Sequence, residues 1–146
     1  MVKHIGNAIW HDGLKNGKGN MSTESGALNA GYSFGSRFED DKSGTNPEEL
    51  IGSALAGCFS MFLSSVLEKH DHKPKHIQSE ARVYLDKDDQ GPLITKIELI
   101  VEATVGNITE DDFQKHVQFS KENCPVSRAL KSVPEMTVTA TLMLNE

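Results

Sequence analysis

The residues of this 146-residue chain best suited to covalent chemistry are its two cysteines, Cys58 and Cys124. A thiol acts as nucleophile or metal ligand only as thiolate, and at an ordinary pKa of about 8.5 little of it is ionised near neutral pH. Sixty-six positions separate the pair (124 minus 58), which excludes a C-x-x-C redox motif and the close ligand pairs of common zinc sites. On spacing alone Cys58 reads first as a small core residue on an apolar helix face, because buried free cysteine is common. Cys124, followed by Pro125, is more ambiguous. His70, Asp71, His72 and His76 offer metal-ligand types, but their polar, lysine-containing surroundings read better as a solvated turn. By the same standard Arg37, in Ser36-Arg37-Phe38-Glu39-Asp40, is a surface arginine, and Glu48 is a carboxylate that favours a helix dipole.

These side chains must be positioned by the elements around them. The first forty residues, rich in Gly, Ser, Asn and His, predict short strands and hairpins, among them Ala8 to His11 and Gly31 to Phe34. Asn46 is the expected N-cap of a helix, with Pro47 at its first position and Glu49 three after the cap. Ile51, Ala54, Leu55, Cys58, Phe62, Val66 and Leu67 recur at helical spacing to about Lys69, predicting a long, substantially buried helix. Gly52 and Gly57 within it suggest that another backbone, expected to be a helix, comes close. Cys58 then lies about three turns inside, beyond the reach of the terminal dipole, so a cation is needed to favour its thiolate.

Period-two runs through Ala81, Val83 and Leu85, and through Ile97, Leu99, Val101, Ala103 and Val105, predict two strands joined across Asp88 to Pro92. Thr109 and Asp112 announce a second helix, with Ile108 and Phe113 placed as a hydrophobic staple, and the helix should stop near Cys124-Pro125. Alternation through Met136, Val138, Ala140, Leu142 and Leu144 predicts a final strand. The sum is an α+β chain, expected to form a single domain over residues 1–146.

Fifteen basic against twenty-one acidic residues give a net charge of -6 with no long basic block, which argues against nucleic acid as a partner. The first thirty residues lack the apolar stretch of a signal peptide, and no window is expected to reach the roughly eighteen apolar residues of a membrane span. The expectation is a cytoplasmic protein without a membrane partner, whose cysteines are reduced rather than a structural framework.

Thr45-Asn46-Pro47-Glu48-Glu49-Leu50, Ala56-Gly57-Cys58-Phe59-Ser60-Met61 and Cys124-Pro125-Val126-Ser127 together resemble the osmotically inducible protein C family. The resemblance extends over Gly17 to Gly26, Ser33 to Asp40 and Ile94-Thr95-Lys96-Ile97, nearly the whole chain. Organic hydroperoxide resistance proteins share the two-cysteine plan, but the segment through Trp10 and Ser22-Thr23-Glu24-Ser25-Gly26 favours the osmotically inducible branch. Leu55 departs from the larger polar or aromatic residue expected of many relatives, which bears on pocket shape.

The resemblance implies an intertwined α+β homodimer, with two long central helices packed between antiparallel sheets and active sites at the subunit interface. It implies a peroxidase for organic hydroperoxides, and more weakly for hydrogen peroxide, without cofactor or metal. Cys58 would be the attacking thiol, Cys124 its resolving partner, Arg37 the cation beside the thiolate and Glu48 the carboxylate that orients it. On a straight helix Glu48 and Cys58 stand about 15 Å apart along the axis, so a pocket holding both would take Arg37 and Glu48 from the second subunit. An external dithiol of lipoyl or similar type would reduce the resulting disulfide. Met61, Phe59 and Phe62 are candidates for favouring alkyl substrates, although core packing explains them equally well.

Two other readings remain at this stage. One is a non-catalytic small-molecule-binding or stress protein of the same fold. The other is a cysteine hydrolase, for which His11 or His116 would have to reach the thiol as base.

Overall fold

The computed structural model describes residues 1–144. The chain divides into two compact units, the first covering Met1–Leu50 and the second running from Ile51 onward.

In the first unit, β1 (Gly6–His11), β2 (Lys18–Thr23) and β3 (Asn29–Ser33) form an antiparallel meander. Gly19 of β2 lies opposite both Trp10 and Tyr32. A Cβ there would stand 2.5 Å from the Tyr32 ring and 2.6 Å from the Trp10 ring, so glycine is what lets the two rings pack at 5.2 Å. The strand expected to end at Phe34 stops at Ser33 instead. Ser33 caps a short helix, α1 (Phe34–Phe38): its hydroxyl accepts the Ser36 N–H at 3.1 Å, while Ser36 Oγ accepts the Ser33 N–H at 2.9 Å.

Helix α2 (Pro47–Lys69) begins in this unit and continues through the next. Asn46 Oδ1 accepts the Glu49 N–H at 2.7 Å, as a cap should. The Glu49 carboxylate accepts from the Thr45 hydroxyl at 3.5 Å.

In the second unit, β4 (Pro74–Asp88) and β5 (Gly91–Val105) form a long antiparallel hairpin, and β6 (Glu135–Met143) extends the sheet in the order β4-β5-β6. The expectation of antiparallel sheets is corrected here, because β6 runs parallel to β5. A parallel neighbour needs a crossover connection, which α3 (Glu110–Asn123) and α4 (Pro125–Ala129) supply. Thr109 caps α3 as anticipated, accepting the Asp112 N–H at 3.1 Å. Leu144, expected in the last strand, lies outside it and is exposed.

The core of this unit joins Leu55, Phe59, Leu63 and Leu67 of α2 to Ile97, Leu99, Val101, Ala103 and Val105 of β5, with Phe113 and Val117 of α3 beside them. Phe59 and Leu63 were not singled out by helical spacing, and Ala54, which was, is exposed. The reason is that α2 is apolar on nearly every side, so its sequence has little contrast with which to mark the inward stripe. It is also long and apolar enough to cross a membrane by length and composition, with a mean hydropathy of 1.9, contrary to the expectation of no such window. Only 33% of that window is buried, so the helix is also less covered than expected.

The close approach predicted at Gly52 is present, but its partner is a strand: a Cβ would stand 3.1 Å from the Ala81 carbonyl oxygen of β4. Gly57 has nothing within 4 Å of its Cβ position. Phe59→Ala should destabilise the protein by about 3–5 kcal/mol, read as a lower urea midpoint, because it empties a fully buried aromatic site. A loss within about 0.5 kcal/mol would contradict the placement of Phe59 at the centre of this core.

Candidate redox site

Cys58 projects from the middle of α2 and is half-buried against the core, whereas Cys124 is fully buried. Both are free thiols, and they are neighbours. Cys124 serves as the C-cap of α3, donating its N–H to Ser120 O at 3.0 Å, and as the N-cap of α4. Its extended backbone, φ -64° and ψ 140°, is what a residue before proline adopts. Proline thus ends one helix, starts the next and turns the thiol between them into the core.

The Cys58 thiol is pushed above its ordinary value, first by burial. The Val126 backbone N–H pulls the other way by hydrogen bonding to the sulfur, and the adjacent Cys124 adds to the rise. Cys124 Sγ donates to Ser127 Oγ at 3.2 Å and accepts the Ser127 N–H at 3.4 Å. Ser127 closes the Cys124-Pro125-Val126-Ser127 motif, which by itself assigns it no role. The signal was present in its spacing, three after an N-cap, where a side-chain cap meets the backbone.

Arg37 and Glu48 are brought together in the first unit. Arg37 Nη2 donates to Glu48 Oε1 at 2.8 Å, and Nε lies 3.2 and 3.3 Å from the two carboxylate oxygens. Arg37 is therefore not a free surface arginine, and Glu48 is buried beneath its guanidinium. α1 is held to the start of α2 by Ser36, whose hydroxyl donates to Thr45 O at 2.7 Å, and by Asn46, whose amide donates to Ser36 O at 2.9 Å. These bonds fix the backbone on both sides of the ion pair. The Arg37 guanidinium also lies 5.1 Å from the Phe38 ring centroid, beside a pocket of about 230 Å³ whose aromatic lining includes Trp10, Tyr32 and Phe34.

The apolar residues proposed to flank the thiol divide among different environments. Phe59 and Leu55 are wholly inside the core. Phe62 is half-buried, with its ring 6.1 Å from that of exposed Phe119, and Met61 is 79% exposed. Among the described residues no three His, Cys, Asp or Glu side chains are grouped to hold a metal ion. The His70 and His116 rings instead meet tilted at 4.5 Å, with His72 6.2 Å from His116, and His70 Nδ1 meets Val66 O at 2.9 Å. His116 is thus engaged at the far end of α2, and the groups acting on Cys58 are Val126 and Cys124.

Comparison with known proteins finds relatives over most of the chain. Residues 39–139 match the model of a family described as OsmC-like protein. The chain is 50% identical to the peroxiredoxin OsmC of Escherichia coli over 128 residues, 87% of this chain and 89% of that one. It is 30% identical to an organic hydroperoxide resistance protein-like chain of Staphylococcus aureus, over 77% of this chain and 79% of the other. The crystal structure of the organic hydroperoxide resistance protein OhrB of Bacillus subtilis superposes with a TM-score of 0.71 at 21% identity, covering 94% of this chain and 98% of that one.

Burial, then the charges of His70 and His72, hold the His116 imidazole below its ordinary value of 6.5; Asp112 opposes this and Lys115 adds to it. The unfolded chain therefore binds more protons than the folded one as pH falls through 6.5 and on to the lower folded value. The His116 contribution to stability is complete above pH 6.5 and lost below it. The thermal midpoint should fall between about pH 7 and pH 5, and His116→Gln should flatten that slope. An unchanged slope in the variant would show that His116 does not contribute.

Proposed function

Because the chain belongs to the OsmC-like protein family, we propose that it is a thiol-dependent peroxidase that reduces organic hydroperoxides, and more weakly hydrogen peroxide, through Cys58 and Cys124. The observation that supports this most directly is the meeting of two free thiols across sixty-six positions of sequence at the edge of an apolar core. Cys58 thiolate attacks the terminal oxygen of the hydroperoxide, the O–O bond breaks, and the alkoxide leaves and takes a proton to become the alcohol. Cys58 is left as sulfenic acid. Cys124 condenses with it, giving a disulfide and water before further oxidation becomes irreversible.

Burial opposes the thiolate, so the chemistry needs a cation. In this proposal it is Arg37 of the partner subunit, held by Glu48 of the partner subunit, in a homodimer built on paired α2 helices. The guanidinium would hydrogen-bond the peroxide as charge grows on the departing oxygen, and the paired carboxylate would keep its fork aimed. Two features support such a pairing: the exposed run Ala54, Gly57 and Met61 on α2, and the open space over Gly57. An external dithiol, lipoyl or similar, would return the disulfide to thiols in the cytoplasm.

Stoichiometric cumene hydroperoxide should remove two hydrogens from the intact mass of freshly reduced protein while one peroxide disappears per chain; Cys58→Ser should do neither. Cys124→Ser should permit the first oxidation and leave a sulfenic acid that dimedone traps. If mass and peroxide both stay unchanged in the native sequence, the peroxidase reading fails and a binding protein of this fold takes its place. Arg37→Lys should retain the fold and slow the first oxidation by about tenfold or more, and normal kinetics would reject the guanidinium role.

A further inference from the structure

The turn Cys124-Pro125-Val126-Ser127 serves both sulfurs at once. The Val126 N–H pulls the Cys58 thiol down against its burial, whereas Ser127 directs its N–H and its hydroxyl at Cys124. This division follows from the local sequence. The first turn of a helix leaves its N–H groups without intrahelical partners, Pro125 has none to offer, and the Ser127 N–H falls to the Cys124 sulfur. The Ser127 hydroxyl is an addition that the backbone alone does not require. It is buried with Cys124, whose sulfur is wholly out of contact with solvent, so any charge forming on that sulfur must be met by protein donors.

Resting on the peroxidase reading above, we propose that Ser127 governs the resolving step, holding the Cys124 thiol at rest through its hydroxyl oxygen and donating its O–H to the sulfur as the thiol proton departs. Cys58–SOH and Cys124–SH become Cys58–S–S–Cys124 and water. The sulfur–sulfur bond forms as the Cys58 sulfur–oxygen bond breaks. The Cys124 sulfur is oxidised, the Cys58 sulfur is reduced from its sulfenic state, and the thiol proton leaves with the hydroxyl oxygen as water. The Ser127 hydroxyl ends as it began. Its N–H, at 3.4 Å from Cys124 Sγ, keeps that sulfur at the helix start throughout. Because the O–H rotates freely, one side chain can accept from the thiol and donate to the thiolate without moving its oxygen.

The test separates the two half-reactions in the full-length protein. Cumene hydroperoxide is mixed with reduced protein, peroxide loss reports the first oxidation, and disulfide and dimedone-reactive sulfenic acid are quenched and counted over time. Ser127→Ala is expected to form the disulfide about tenfold more slowly, the size of effect that a hydrogen bond to a developing charge supplies. Cys58 sulfenic acid should accumulate, excess peroxide should drive it on to sulfinic acid, and the pH profile of disulfide formation should move upward by about one unit. Ser127→Thr, which restores a hydroxyl, should recover the rate and the profile; a residue needed only for packing would leave the profile unmoved.

Disulfide formation at the native rate with an unmoved profile in Ser127→Ala overturns the proposal. If that variant does not fold, Ser127→Thr and Ser127→Val decide at matched volume, and equal resolving rates in the two overturn it. A Cys124→Ser protein that gives no dimedone adduct overturns the peroxidase reading itself, and this proposal with it.

Discussion

Ionising a thiol and excluding water from it make opposite demands on the same atom. Cys58 stands on the helix that contributes Leu55, Phe59 and Leu63 to the core, and burial there raises the thiol rather than lowering it. In the proposed function, the apolar wall that would receive an alkyl substrate thus also withholds the charge the chemistry needs. Fixed polar groups have to compensate. One is the Val126 N–H at the start of α4, which pulls the thiol down. In the proposed function a second comes from a guanidinium already fixed by a carboxylate, and an immobilised donor need not reorganise when charge appears.

Both halves of the chain spend polar contacts on immobility. In the first unit, Ser33, Ser36, Thr45 and Asn46 tie a five-residue helix to the start of α2, and this makes the Arg37–Glu48 fork rigid. In the second, the Ser60 and Ser79 hydroxyls meet at 2.7 Å, and Gln114 donates to Ala140 O at 2.9 Å, fastening α2 to β4 and α3 to β6. Gly52 lets the β4 backbone approach α2 closely, so the helix cannot roll there without a clash. Rotation of α2 would carry Cys58 away from Cys124, and these contacts oppose it.

Elements with local chemical signatures were legible in the sequence. Asn46-Pro47 marked the start of α2, Thr109 the start of α3, and strict alternation from Ile97 to Val105 marked a strand buried as expected. β2 was missed because Lys18–Thr23 shows no alternation, and its place depends on the rings of Trp10 and Tyr32 meeting over Gly19. The direction of β6 was missed because a strand pattern reads the same in either orientation. At the site, residue type singled out the cysteines, but the Arg37–Glu48 contact depends on the fold-back from α1 to α2, which no periodicity encodes. Ser127 was visible as part of a motif, and only the folded turn gives its hydroxyl a target.

The parallel pairing of β5 with β6 bears on the order in which the second unit assembles. The β4–β5 hairpin closes locally, but a parallel strand docks only after the whole α3–α4 crossover has been laid down, and long-range pairing of that kind forms slowly. Cys124 lies on the crossover, and β6 follows both cysteines in sequence. During synthesis the two thiols therefore emerge far apart in sequence, with β6 still to follow them. In the proposed function, a chain that has not yet packed α3 and α4 onto the sheet has a Cys58 without its Cys124 partner.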